Sequence, residues 1–143
     1  MKRVLIPLDG SDCSLRAVDY AIAERGQRST PDDFEVHLLN VQTALRGDIG
    51  QFVTQDQLAA YQGEESEKAL GEARTRLGAA GVRVIVHTGV GHVADVIARM
   101  AAELQCDHIV MGTHGRGALA DLLVGSTSVR VLHQARMPVV LVK

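Results

Sequence analysis

Val4-Leu5-Ile6-Pro7-Leu8-Asp9-Gly10-Ser11-Asp12 begins as an apolar run of strand length and ends in a carboxylate, a glycine and two residues able to cap a helix. The run is continuously apolar instead of alternating, as a strand covered on both faces reads. Gly10 allows a sharp backbone turn after the strand, and Ser11 or Asp12 can cap a helix beginning there. Leu15, Val18 and Ile22 then recur at steps of three and four, with Ala17 and Ala21 beside them, which predicts a helix over 12–25. A short buried strand feeding an amphipathic helix sets the pattern for the rest of the chain.

That pattern repeats. Runs of strand length lie at 3–8, 35–41, 83–87, 108–111 and Val139–Val142, and most are continuously apolar. Between the second and third, Leu70, Ala73, Leu77 and Ala80 carry a helical stripe that Gly78 and Gly81 bring to an end. Before it, 43–54 contains Gly47 and Gly50 without a clear period and reads as a mobile loop. Val93, Ile97, Met100 and Leu104 predict a further helix over 92–105, and a last short one starts near Ser126 and stops ahead of Pro138. The order β-α-β-α-β-α-β-α-β implies right-handed crossovers and one open, mainly parallel five-stranded sheet, order 3-2-1-4-5, with helices on both faces: a Rossmann-like α/β fold. With no repeat, linker or low-complexity tract, 1–143 reads as a single domain.

Composition narrows the function classes. The 143 residues are 46% hydrophobic and 22% charged, enough for a real core, while 3% aromatics and no Trp leave that core to Val, Leu, Ile and Ala. A formal net charge of −2 and no basic stripe exclude nucleic acid as the expected partner. Cys13 and Cys106 form no CxxC and read as reduced thiols of a cytoplasmic protein. The first apolar run is too short for a signal h-region or a membrane span.

In an open α/β sheet, ligands bind beyond the carboxyl ends of the strands where the strand order reverses, here between the first and fourth. The loops after both strands are unusual. Asp9 at the first strand tip can accept from a ribose hydroxyl or help hold a metal ion, or can simply satisfy amides of its own turn. After the fourth strand comes Met111-Gly112-Thr113-His114-Gly115-Arg116-Gly117, then 118–124, then Gly125-Ser126-Thr127-Ser128. By composition this is a phosphate cradle: glycines admit main-chain amides to an anion, and the start of a helix offers its positive end and its hydroxyls. GxxxxGK[ST] is absent, as is a GxGxxG after the first strand, so neither a P-loop nor the usual dinucleotide fingerprint is present.

On these residues the chain resembles the universal stress protein family along essentially its whole length. Gly112, Gly115, Gly125 and Ser126 fit the Gly-x2-Gly-x9-Gly-Ser/Thr pattern of the family's ATP-binding branch; Ile6-Pro7-Leu8-Asp9-Gly10-Ser11 and Met137-Pro138-Val139-Val140-Leu141-Val142 also resemble it. The resemblance implies ATP, with Mg2+, as ligand. Pro7, Leu8 and Asp9 would flank the adenosine, Val41 would meet adenine through its main chain, and Met111 and Gly112 would line the ribose and α-phosphate. Gly115, Gly125, Ser126 and Thr127 would hold the phosphates, with His114 and Arg116 nearby. Thr127 replaces the Val common in relatives and adds a hydroxyl. The resemblance further implies a homodimer through Val139–Val142, and a nucleotide-dependent switch read by a protein partner in stress physiology.

No assembled base, lysine and metal carboxylates accompany the motif, so the expected protein is not an enzyme beyond weak ATP hydrolysis. The alternatives are a slow ATPase and a structural dimer that does not use nucleotide. Cys13 and Cys106 read as packed residues. His37, His87, His92, His108 and His133 lack metal-ligand spacing and receive no role. Leu119, Leu122 and Leu123 read as packing on the domain's own core.

Overall fold

In the computed structural model, residues 1–43, 55–114 and 124–143 are described. Five strands, β1 (Arg3–Pro7), β2 (Glu35–Gln42), β3 (Arg83–Val90), β4 (His108–Gly112) and β5 (Val139–Val142), alternate with four helices, α1 (Asp12–Gly26), α2 (Gln55–Ala79), α3 (Val93–Glu103) and α4 (Ser126–Gln134). The strands form one sheet in the order β3-β2-β1-β4-β5, and every pairing is parallel. This is the α/β architecture and strand order expected from the alternation.

The continuous apolar runs result from burial on two sides. Val4 and Ile6 of β1, and Leu8 just after it, face a core shared with Leu15, Val18 and Ala21 of α1 and Leu70, Ala73 and Leu77 of α2. Leu5 points the other way, into a second core with Leu39, Ile109, Met111, Ala94, Ile97, Ala101 and Val131. Helices therefore cover both faces, and each buried Leu or Ile contributes roughly 1.5–3 kcal/mol relative to exposure.

Each helix begins and ends for a local reason. Ser11 caps α1: its side chain accepts from the Ser14 amide at 3.2 Å, while the Ser14 hydroxyl donates back to the Ser11 carbonyl at 2.8 Å. Gly10, at φ 81°, makes the preceding turn in a region where only glycine is at ease. Gly78 lies inside α2, whereas Gly81, at φ 68°, ends it and is followed by a Val82 amide donating to the Leu77 carbonyl at 3.0 Å.

β5 ends at Val142 as expected, and the other four strand ends differ slightly from expectation. β3 runs to Val90, three residues beyond the apolar run that ends at His87, because it tracks the long β2 in register up to Gln42↔Val90. Gly89 lets α3 come close at that end, where an added Cβ would stand 3.0 Å from Cγ1 of Val96. The loop expected at 43–54 and the leucines 119, 122 and 123 lie outside the described residues, apart from Thr43. Among the described residues no helix is long and apolar enough to cross a membrane.

Candidate functional site

A cavity of about 410 Å³ opens at the carboxyl ends of β1, β2 and β4, within the range of small-molecule sites. Its apolar walls are Pro7, Leu8, Leu39, Val41, Val93, Ile97 and Met111, and its polar lining is Asp9, Ser14, Gln42, Thr43, His114, Thr127 and Ser128, with Gly112 between them. The sheet reversal brings the two unusual loops together. Eight of the residues singled out from the sequence thus share one space: Pro7, Leu8, Asp9, Val41, Met111, Gly112, His114 and Thr127.

Gly125 and Ser126 stand beside this lining and not in it. Gly125 caps α4 in extended backbone at φ −72° and ψ 162°, and its amide donates to the Thr113 carbonyl at 2.6 Å. The Ser128 hydroxyl donates to the carbonyls of Gly112 and Thr113 at 3.1 and 3.3 Å. These bonds tie the start of α4 to the end of β4. The first-turn amides of α4 have no carbonyl partner within the helix, so the positive end of its dipole lies at a wall that Thr127 and Ser128 form. Gly115 and Arg116 lie outside the described residues.

Two glycines have a physical meaning that differs from room for an anion. A Cβ on Gly112 would stand 2.7 Å from both the carbonyl oxygen and the Sγ of Cys13, so this glycine admits α1 against β4. A Cβ on Gly125 would stand 3.1 Å from the Thr113 carbonyl oxygen, so bulk there pushes first on the β4 tip. Cys13 itself is buried, with Sγ 3.8 Å from the Thr113 hydroxyl and donating to the Val142 carbonyl at 3.6 Å. Burial pushes its thiol up, but hydrogen bonds from the His114 backbone and the Thr113 hydroxyl, with Arg16 nearby, bring it below the ordinary value.

Asp9 takes a turn-forming role: its Oδ1 accepts from the Ser11 amide at 2.9 Å. His114 Nδ1 lies 3.0 Å from the Thr113 hydroxyl. Sequence reading reached Ser128 only as part of the expected cradle, and did not reach Ser14, Leu39, Gln42, Thr43, Val93 or Ile97 as lining residues. Gln42 and Thr43 carried the available signal, being polar residues directly after an apolar strand on the ligand side of the sheet. Val93 and Ile97 look like ordinary core positions of α3, and their second use needs the tertiary structure.

A second cavity, of about 420 Å³, lies at the opposite end of the sheet and is lined by charged residues. There Lys2 pairs with Asp33 at 3.4 Å, and Arg3 and Arg83 both reach Glu35, at 3.1 and 3.2 Å. These pairs form a clasp between the starts of β1, β2 and β3.

The family model described as the universal stress protein family matches residues 1–143. Universal stress protein MJ0531 of Methanocaldococcus jannaschii is 32% identical over 148 aligned residues, spanning 99% of this chain and 82% of that protein. Among solved structures, that of MJ0577, from the same organism, aligns with a TM-score of 0.85 at 26% identity, covering 99% of this chain and 95% of that one. A universal stress protein solved in complex with cAMP aligns with a TM-score of 0.70 at 26% identity, covering 99% and 97%.

Proposed function

Since the chain belongs to the universal stress protein family, we propose that it binds ATP in the cleft between the ends of β1 and β4 and acts as a nucleotide-dependent switch or adaptor in the stress response. The observation that carries this reading is the make-up of the cleft. A planar base suits the apolar walls around Leu39, Val41 and Met111, while a polyanion suits the amide end of α4 beside Thr127 and Ser128. A relative that holds cAMP supports an adenine nucleotide as the ligand class.

In this reading Pro7 and Leu8 flank the adenosine, the Val41 main chain meets the base, and Asp9 accepts from the ribose. Met111 and Gly112 lie along the ribose and α-phosphate. Gly115, Gly125, Ser126 and Thr127 hold the phosphates through amides and hydroxyls, with His114 and Arg116 beside them. Magnesium would be held chiefly by phosphate oxygens, because Asp9 is the carboxylate in the lining and no three His, Cys, Asp or Glu side chains gather as a metal site among the described residues. In this reading the site binds ATP and hydrolyses it at most slowly; among the described residues its lining contains no lysine.

Val139–Val142 pairs with β4 on one side, and its apolar outer edge is the surface through which two copies would join as a homodimer. The working site is the cytoplasm, with a protein partner reading the occupied state. The test is calorimetric titration of Mg-ATP into the wild type and a folded Gly125→Val protein. The wild type binds; the variant, with its β4 tip displaced, loses at least about tenfold in affinity. Equal binding by the two proteins refutes the phosphate assignment, and no binding by the wild type refutes the nucleotide.

A further inference from the structure

Asn40 is a polar side chain in an otherwise apolar stretch of β2, 2% exposed. Its Nδ2 donates to the Leu8 carbonyl at 2.7 Å. Its Oδ1 accepts from Nε2 of Gln42 at 2.5 Å. Gln42 lines the cleft, and its own main chain is fixed, since its carbonyl accepts from the Gly91 amide at 3.0 Å.

The direction of this chain of bonds is forced. A side-chain amide can exchange its two ends by a half-turn, but a main-chain carbonyl can only accept. The Leu8 carbonyl therefore requires the NH2 end of Asn40. That leaves the Asn40 oxygen toward Gln42, which must answer with its own NH2. The end of Gln42 turned away from Asn40 is then its carbonyl oxygen, an acceptor. A reversal of Asn40 would set its oxygen against the Leu8 carbonyl in a buried place, where an unmade bond is costly, and a reversal of Gln42 would set two side-chain oxygens together.

We propose that Gln42 is a specificity-determining residue that presents this fixed acceptor to the six-position of a bound purine, favouring a 6-amino over a 6-oxo base. The inference rests on the nucleotide reading above and adds to it the group that reads the base. Adenine carries an amino donor at that position, whereas guanine and hypoxanthine carry an oxygen that would face the Gln42 oxygen. Sites built around such a bond discriminate strongly, because the mismatched ligand leaves a polar group unpaired. Asn40 is the positioning residue: it touches no ligand in this scheme and acts by denying Gln42 its other orientation.

The experiment compares the affinities of ATP, inosine triphosphate and purine riboside triphosphate, which carry an amino group, an oxygen and no substituent at the six-position. In the wild type, ATP binds about tenfold or more tightly than the inosine analogue. In Gln42→Met, which keeps the length and removes the acceptor, ATP falls to within about twofold of the inosine analogue, with the unsubstituted purine little changed. In Asn40→Leu, checked for folding by circular dichroism, Gln42 is retained but free to turn, and the ATP preference collapses in the same way. The half-exposed Gln42 substitution keeps the test valid if the buried Asn40 one does not fold. Equal losses for all three nucleotides, or a preference unchanged in Gln42→Met, overturn the assignment while leaving ATP binding in place. A wild type that binds none of the three removes the nucleotide reading and this inference with it.

Discussion

Gly112 and Cys13 are packed so closely that a single methyl group on the glycine would lie 2.7 Å from the Cys13 carbonyl oxygen and from its sulfur. The first turn of α1 is thus seated directly on the last residue of β4, at the floor of the cleft. Because one of the two atoms in the way belongs to the main chain, no change of rotamer relieves the clash.

Gly112→Ala is accordingly predicted to destabilise the fold by about 2 kcal/mol or more, the range of overpacked cores. Thermal melts measure it directly. Adding Cys13→Ala removes the sulfur but not the carbonyl, so the double variant recovers only part of the loss. Full recovery would mean that the sulfur alone sets the spacing.

Two roles for Asp9 separate by substitution. The Ser11 amide bonds its Oδ1, and Asn preserves that acceptor while Ala removes it. Asp9→Ala should cost about 1 kcal/mol of stability, as the loss of one hydrogen bond in the turn. Asp9→Asn should melt close to the wild type yet bind ATP about tenfold more weakly, since a charged acceptor toward the ribose is lost. Unchanged affinity in Asp9→Asn would confine this residue to its turn.

The sheet contains a proton-sensitive chain at the other end of β2. Glu35 Oε1 lies 2.8 Å from His37 Nε2, and His37 Nδ1 lies 2.8 Å from His87 Nε2. The hydrogen bond from His37 holds the Glu35 carboxyl below its ordinary value against the effect of burial, with the charges of His37, Arg83 and Arg3 helping. Burial, then the neighbouring His37, holds His87 below its ordinary 6.5. The unfolded chain therefore takes up protons first at both groups, and acid favours unfolding. Stability should begin to fall as pH drops through 6.5 on account of His87. It should fall again below 4.5, as pH passes through the depressed Glu35 value. Melting curves across this range check it: His87→Gln flattens the upper part of the fall and leaves the lower part. An unaltered profile in His87→Gln would place the titration elsewhere.

The start of every strand was legible in the sequence, and so was the end of β5, but the other four ends were not. Arg3, Glu35, Arg83, His108 and Val139 each open a strand where the apolar run predicts it, because there a polar or junction residue gives way to a run that both faces bury. The ends depend on pairing: Val90 belongs to β3 because Gln42 lies opposite it, although Thr88 and Gly89 interrupt the apolar run. Register likewise hides the contact between His37 and His87. They lie on neighbouring strands, with His87 paired to Leu39 and His37 to Ile85, and no spacing within the chain announces it. In the cleft, glycines and strand-tip polar groups singled out residues that the fold gathers around one cavity. The reason for Gly112 did not show, because its constraint comes from Cys13, which is remote in sequence and close only after folding.

Titration of Mg-ATP into isotopically labelled protein, followed by amide chemical shifts, tests the central assignment most directly. The account predicts saturable changes at Asp9, Val41, Gly112, Thr127 and Ser128, with Lys2, Arg83 and Asp107 at the opposite end of the sheet unmoved. An absence of saturable change, or changes centred on that opposite end, would contradict it.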